Sequence, residues 1–121
     1  MTLRDQIQHV IATEPVAVFI KGTPERPACG NSMRALQALW NAGAPITAVD
    51  VLPDPRIRSE LSSITEWPTI PQVFVKGELI GGADITEELF ASGELGTKLD
   101  EALGTEREQV VKLVAVDPAS S

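Results

Sequence analysis

The sequence holds one cysteine among its 121 residues. It can form no internal disulfide, and a reducing cytoplasm is the expected compartment. No apolar run approaches the length of a membrane-crossing helix, so no transmembrane α-helix is expected and no membrane partner. The first residues, Met1-Thr2-Leu3-Arg4-Asp5-Gln6, lack the apolar centre of a secretory signal. There is no basic run, and the formal net charge is −7. A nucleic-acid backbone would be repelled, so nucleic acid is not an expected partner. Neither internal repeats nor low-complexity tracts are visible. The single histidine, His9, has no acidic residue at a recognisable spacing and reads as a surface or packing residue.

What is present is ordinary for a folded domain: 43% hydrophobic and 22% charged residues, in a length that supports one core. The organising stretch is Lys21-Gly22-Thr23-Pro24-Glu25-Arg26-Pro27-Ala28-Cys29-Gly30-Asn31-Ser32. It follows the apolar run Val16–Ile20, which reads as a buried strand. It precedes a helix over 29–42 in which Met33, Leu36 and Trp40 share one face, with Leu39 beside them. The cysteine therefore sits where a strand has ended and a helix begins. Unpaired amide N–H groups and the positive end of the helix dipole lower a thiol's pKa there. A lone cysteine is commonly a small core hydrophobe. Two prolines and two charged residues just ahead of Cys29 argue instead for an exposed, reactive thiol.

Before that stretch, Leu3, Ile7, Val10 and Ile11 predict a helix over 2–13, with Thr2 and Asp5 as cap and first-turn acid. After it, Gly43 and Pro45 end the second helix, and Ile46-Thr47-Ala48-Val49-Asp50-Val51 reads as a strand. Strand, helix and strand in so short a span imply a right-handed parallel crossover. Pro53-Asp54-Pro55 opens a helix burying Ile57, Leu61 and Ile64, with Arg56 solvated. Trp67-Pro68-Thr69-Ile70-Pro71 cannot be helical, and Gln72–Val75 is a strand that turns through Lys76-Gly77-Glu78 into Leu79-Ile80. A cis-proline at 71 is plausible after the Thr-Ile pair, but on base rates alone an ordinary trans-proline starting an edge strand wins.

Gly81-Gly82-Ala83-Asp84 follows, and its glycines permit close backbone approach by a ligand. Asp84 can cap the helix carrying Ile85, Leu89 and Phe90, with Glu87 as the returning acid. Leu95, Leu99 and Leu103 extend a last helix to Gly104. The expected division is a domain over 1–104 and a C-terminal extension over 105–121. For Val110–Val116 in that extension, a short helix, an added strand and a partly ordered segment all remain open. The sum is an α/β fold, a four-stranded mixed sheet flanked by helices. Its ligand edge lies at the carboxyl end of the first strand. Lys21, Cys29, Ile70, Pro71 and Gly82-Ala83-Asp84 all fall in loops that can converge there.

These segments resemble a monothiol glutaredoxin of the thioredoxin-fold superfamily. The resemblance is carried by Lys21-Gly22-Thr23-Pro24 with Cys29-Gly30-Asn31-Ser32, by Asp54-Pro55-Arg56-Ile57-Arg58, by Trp67-Pro68-Thr69-Ile70-Pro71-Gln72, by Gly81-Gly82-Ala83-Asp84 and by Ser92-Gly93-Glu94-Leu95. It covers roughly residues 5–103. It implies a glutathione site in which Lys21 and Arg58 bind the glycyl carboxylate. The backbone of Ile70, presented by a cis-Pro71, would pair with the cysteinyl unit like an added strand. Gly82, the Ala83 N–H and the Asp84 carboxylate would receive the γ-glutamyl end.

The resemblance further implies a homodimer bridged by a [2Fe–2S] cluster. Cys29 and glutathione would be its ligands, and BolA-like and iron–sulfur acceptor proteins its partners. The loop Thr23-Pro24-Glu25-Arg26-Pro27 resembles the cluster-handling class. Glutathione-dependent thiol–disulfide exchange through Cys29 alone is the alternative, and a regulatory module that senses cluster status is a third reading. A dithiol mechanism is excluded, because position 32 is serine and no second cysteine exists. Two departures stand out: Asn31 replaces the family's usual aromatic residue, and Ala83 stands where many relatives carry a second cysteine.

Overall fold

In the computed structural model, which describes residues 1–119, Val16–Ile20 is the central strand β1, with all five residues buried. Val16, Val18 and Ile20 enter one apolar layer, and Ala17 and Phe19 enter the other. A strand covered on both faces reads as a continuous apolar run for this reason. β2 (Ile46–Asp50) lies parallel to it on one side, and β3 (Gln72–Val75) antiparallel on the other. β3 turns through Lys76 and Gly77 into β4 (Glu78–Gly81). Both turn residues have positive φ, 50° and 82°, as a two-residue hairpin turn demands.

Five helices cover the sheet. α1 (Leu3–Thr13) and α3 (Pro55–Thr65) pack on one face, where Ile7, Val10, Ile57 and Leu61 meet Phe19 and Phe74. The two phenylalanine rings meet edge to face, with centroids 5.8 Å apart. α2 (Gly30–Asn41) and α5 (Glu94–Leu103) cover the other face through Ala35, Leu36, Leu39, Leu95 and Leu99. α4 (Ala83–Ser92) lies between them. The expected cap and first-turn acid at α1 form a reciprocal capping box: Thr2 Oγ1 accepts the Asp5 N–H, and the Asp5 carboxylate accepts the Thr2 N–H. At α3, Asp54 caps the Arg56 N–H at 2.9 Å, and the Arg56 guanidinium pairs with the same carboxylate instead of standing alone in solvent. None of the described helices is long and apolar enough to cross a membrane.

The sheet has five strands, not the expected four, in the order β4-β3-β1-β2-β5. The fifth, β5 (Val111–Leu113), comes from the extension and pairs parallel with β2. Of the three possibilities for this segment, the added strand is the one found. Its approach is held by Arg107, which donates to the carbonyls of Ala42, Gly43 and Gly104 and to Asp100. Those carbonyls lie at the carboxyl ends of α2 and α5, which otherwise lack partners. Beyond β5, Val116 is buried in the α1/α3 layer, and Asp117 exchanges two hydrogen bonds with Gln6. The last two residues of the extension, 120 and 121, lie outside the described residues.

One expectation about α2 fails. Met33 and Trp40 are 55% and 45% exposed, and the buried face is Ser32, Ala35, Leu36, Ala38 and Leu39. The polar Ser32 can be buried because its hydroxyl accepts the Lys21 N–H at 3.1 Å.

Candidate functional site

The loop between β1 and α2 is a closed structure. Thr23 and Arg26 exchange backbone hydrogen bonds, Gly22 bridges Pro27, and the Ala28 N–H donates to the Lys21 carbonyl at 2.7 Å. Gly22 makes the closure possible. Its φ is +96°, and a Cβ there would stand 2.5 Å from the Arg26 oxygen and 2.7 Å from the Ala28 nitrogen. Its own N–H donates to Asp50 Oδ1, which also accepts the Leu52 N–H, so the end of β2 anchors the loop. Cys29 emerges from this loop as the N-cap of α2.

At that position Sγ accepts the Ser32 N–H at 3.3 Å and lies 3.1 Å from Ser32 Oγ. The Ser32 hydroxyl accepts the Lys21 N–H and the Cys29 thiol proton, and its own proton can turn to the sulfur once Cys29 is a thiolate. Partial burial pushes the Cys29 thiol up. The Ser32 hydroxyl and N–H, the Lys21 charge and the Asn31 N–H together outweigh it, and the thiol lies below its ordinary value. The helix terminus is the activating effect legible in the sequence, where Ser32 reads only as the absence of a second cysteine. The spacing of an N-cap residue and a hydroxyl three positions on was the signal that could have found it.

A cleft of about 340 Å³ opens beside the thiol loop, lined by Asn31, Trp67, Thr69, Ile70, Pro71, Gly82, Ala83, Asp84 and Ile85. Five of the expected site residues thus share one wall system. The Ile70–Pro71 peptide is cis, which overturns the base-rate expectation of a trans bond and agrees with the form the resemblance implies. Gln72 is wholly buried and holds this turn from below: its Nε2 donates to the carbonyls of Trp67 and Thr69, and its Oε1 accepts from Thr65 Oγ1. Gly82 stands next to this turn, where a Cβ would approach the Pro71 oxygen to 3.3 Å and press on it. Trp67 Nε1 is buried without a partner among the described residues. Cys29, Lys21 and Arg58 do not line the cleft. They stand around it: Lys21 is joined to Ser32 and acts on the thiol, and Arg58 donates to the Pro68 carbonyl at 3.3 Å.

Asp84 does not cap α4. The N-cap is Gly82, and Asp84 lies in the first turn with its side chain 82% exposed. Its carboxylate is taken by Arg34 of α2, whose Nη2 donates to Asp84 Oδ1 at 2.7 Å. Arg34 also pairs with Glu87 and donates to Asn31 Oδ1 at 2.9 Å. Glu87 is therefore a partner of another helix, not a returning acid of its own cap. The Arg34 hydrogen bond holds the Glu87 carboxyl below its ordinary value. Among the described residues there is no group of three or more histidine, cysteine, aspartate or glutamate side chains that could hold a metal ion.

The Glutaredoxin family profile matches residues 16–80. "Glutaredoxin 4" of Haemophilus ducreyi is 47% identical over 97 residues, covering 80% of this chain and 91% of that protein. "Monothiol glutaredoxin-S11" of Oryza sativa is 45% identical over 100 residues, 83% of this chain and 20% of that longer one. Among solved structures, reduced poplar apo GrxS14 superposes with a TM-score of 0.74 at 37% identity, covering 84% of this chain and 93% of that one.

Proposed function

This chain belongs to the glutaredoxin family and is a monothiol member with a thioredoxin-like fold, and from that premise we propose that it carries iron–sulfur clusters with glutathione as a co-ligand. The observation that carries the reading is a single activated thiol at a helix N-terminus beside a cleft of about 340 Å³. Such a cleft is of the size that takes a small molecule. Glutathione would lie along it, its cysteinyl unit on the Ile70–Pro71 backbone. Its γ-glutamyl end would meet Gly82, Ala83 and Asp84, and its glycyl carboxylate Lys21 and Arg58. An anionic tripeptide approaching a chain of net charge −7 needs such local cations.

The donor set argues for a shared cargo. A [2Fe–2S] cluster takes four ligands, usually thiolates, and one chain offers one. Cys29 and one glutathione from each of two chains make four, arranged about a two-fold axis. Half of those ligands diffuse freely, which suits delivery to acceptor proteins or to a BolA-like partner. Anaerobic reconstitution tests this. Iron and sulfide should appear in a dimer only when glutathione is present. A Cys29→Ser variant that still fills, or wild-type protein that fills without any small thiol, overturns the reading.

The lowered thiol pKa also supports a second reading, disulfide exchange. The Cys29 thiolate would attack the glutathione sulfur of a mixed disulfide and release the partner's thiolate. A second glutathione thiolate would then attack the Cys29–glutathione disulfide, regenerating Cys29 and forming oxidised glutathione. Turnover of a glutathionylated peptide by protein that never fills with iron would favour it.

A further inference from the structure

Arg34 stands one turn into α2 and reaches across to α4, where its guanidinium joins three side chains at the rim of the cleft. Nη1 donates to Asn31 Oδ1 at 2.9 Å, Nη2 donates to Asp84 Oδ1 at 2.7 Å, and Nε donates to Glu87 Oε1 at 2.9 Å. Asn31 and Asp84 both line the cleft. Asp84 is an exposed aspartate, so without a partner its carboxylate would sample several rotamers. Glu87 lies one turn on along the same face, where its like charge would push Asp84 away. Arg34 removes both problems with one group. It also leaves Asp84 Oδ2 without a partner among the described residues, so one carboxylate oxygen is held and the other is offered.

We infer that Arg34 is a positioning residue for the ligand's amino end: it fixes Asp84 so that the free oxygen faces a primary ammonium bound at the α4 end of the cleft. Charge supports this assignment. One guanidinium and two carboxylates leave a formal −1 at the rim, so Arg34 orders Asp84 without cancelling the local attraction for a cation. Asn31 gains a role as well. In place of an aromatic cover it supplies an amide oxygen that fixes the third corner of the guanidinium. The sequence alone hides this, because Arg34 and Asp84 are far apart in the chain and each has an ordinary helical explanation.

The inference rests on the glutathione reading above, and its test separates the two. Calorimetric titration with glutathione and with N-acetylglutathione, which lacks the ammonium charge, gives the preference for the free amine. Wild-type protein should prefer glutathione. Arg34→Met should compress that preference by about threefold to fivefold, the size expected of one exposed charged contact. Arg34→Lys should restore part of it. In an Asp84→Asn background, Arg34→Met should change the preference no further. Equal loss of both ligands in Arg34→Met, an unchanged preference, or an effect that persists without Asp84 overturns the assignment. Wild-type protein that binds neither ligand overturns the glutathione reading and this inference with it.

Discussion

Cys29 Sγ lies 3.1 Å from a Ser32 hydroxyl that is held in place by the Lys21 amide. In the thiol form the sulfur donates to that hydroxyl, and in the thiolate form the hydroxyl can turn its own proton to the sulfur, which favours the thiolate. Ser32→Ala should therefore raise the Cys29 pKa and slow alkylation severalfold at neutral pH. The check is the rate of iodoacetamide labelling against pH. A midpoint unmoved by the substitution would show that the backbone amides and Lys21 activate the thiol without the hydroxyl.

Lys21 and Arg58 are assigned to the same carboxylate but differ in their relation to the thiol. Lys21→Ala and Arg58→Ala should each weaken glutathione binding by roughly tenfold, with stability changed by no more than about 0.5 kcal/mol. Only Lys21→Ala should also raise the thiol pKa, because Lys21 is the cation that acts on Cys29. Titration calorimetry and labelling kinetics on the same two proteins distinguish the roles.

Gly22→Ala should damage the site from a distance. At φ +96°, with the new methyl 2.5 Å from a backbone oxygen, the loop must open. The expected cost is about 2 kcal/mol or more, and Cys29 labelling should become irregular as its N-cap geometry loosens. Denaturant melts read the first effect.

Removal of residues 106–121 should lower stability by roughly 2–4 kcal/mol, from the loss of a buried valine, the Arg107 caps and the β5 pairing. Glutathione affinity, measured well below the truncated protein's melting temperature, should be retained, since the residues assigned to the site all lie between 21 and 84. Lost affinity in a folded truncation would place part of the site in the tail.

Asp54 gives a pH signature. The hydrogen bond from Arg56 holds its carboxyl below the ordinary value in the folded protein. Its contribution is complete above the unfolded pKa and disappears as pH falls through the lowered one. Asp54→Ala should melt earlier than wild type at pH 7, and the gap should close in acid. Thermal melts from pH 7 to pH 3 follow it.

The parts legible in the sequence are those specified by local chemistry. The Thr2–Asp5 box, Asp54 before Pro55, the Lys76-Gly77 turn and Cys29 at a helix start each depend on residues a few positions apart. What escaped was set by neighbours distant in the chain. β5 is three exposed residues whose only reason to be a strand is the open edge of β2. Met33 and Trp40 share helical spacing with Leu36, but so do Ala35 and Leu39, and Leu36 buries with the latter pair; the buried face also takes Ser32, whose hydroxyl the Lys21 amide satisfies. Asp84 had an adequate local role as a cap until Arg34, from another helix, claimed it.

The late arrival of β5 has a consequence during synthesis. β2 is complete once residue 50 has been made, yet its outer edge is covered only by residues 111–113. At about 5–20 residues per second, that edge stays bare for roughly 3–12 s on the ribosome. For those seconds the nascent chain carries an unpaired row of amides and carbonyls beside Ile46 and Ala48, a template for pairing with a neighbouring nascent copy. Slower translation through the segment before residue 111 should lengthen that exposure and raise the fraction lost to aggregation, without altering the finished fold.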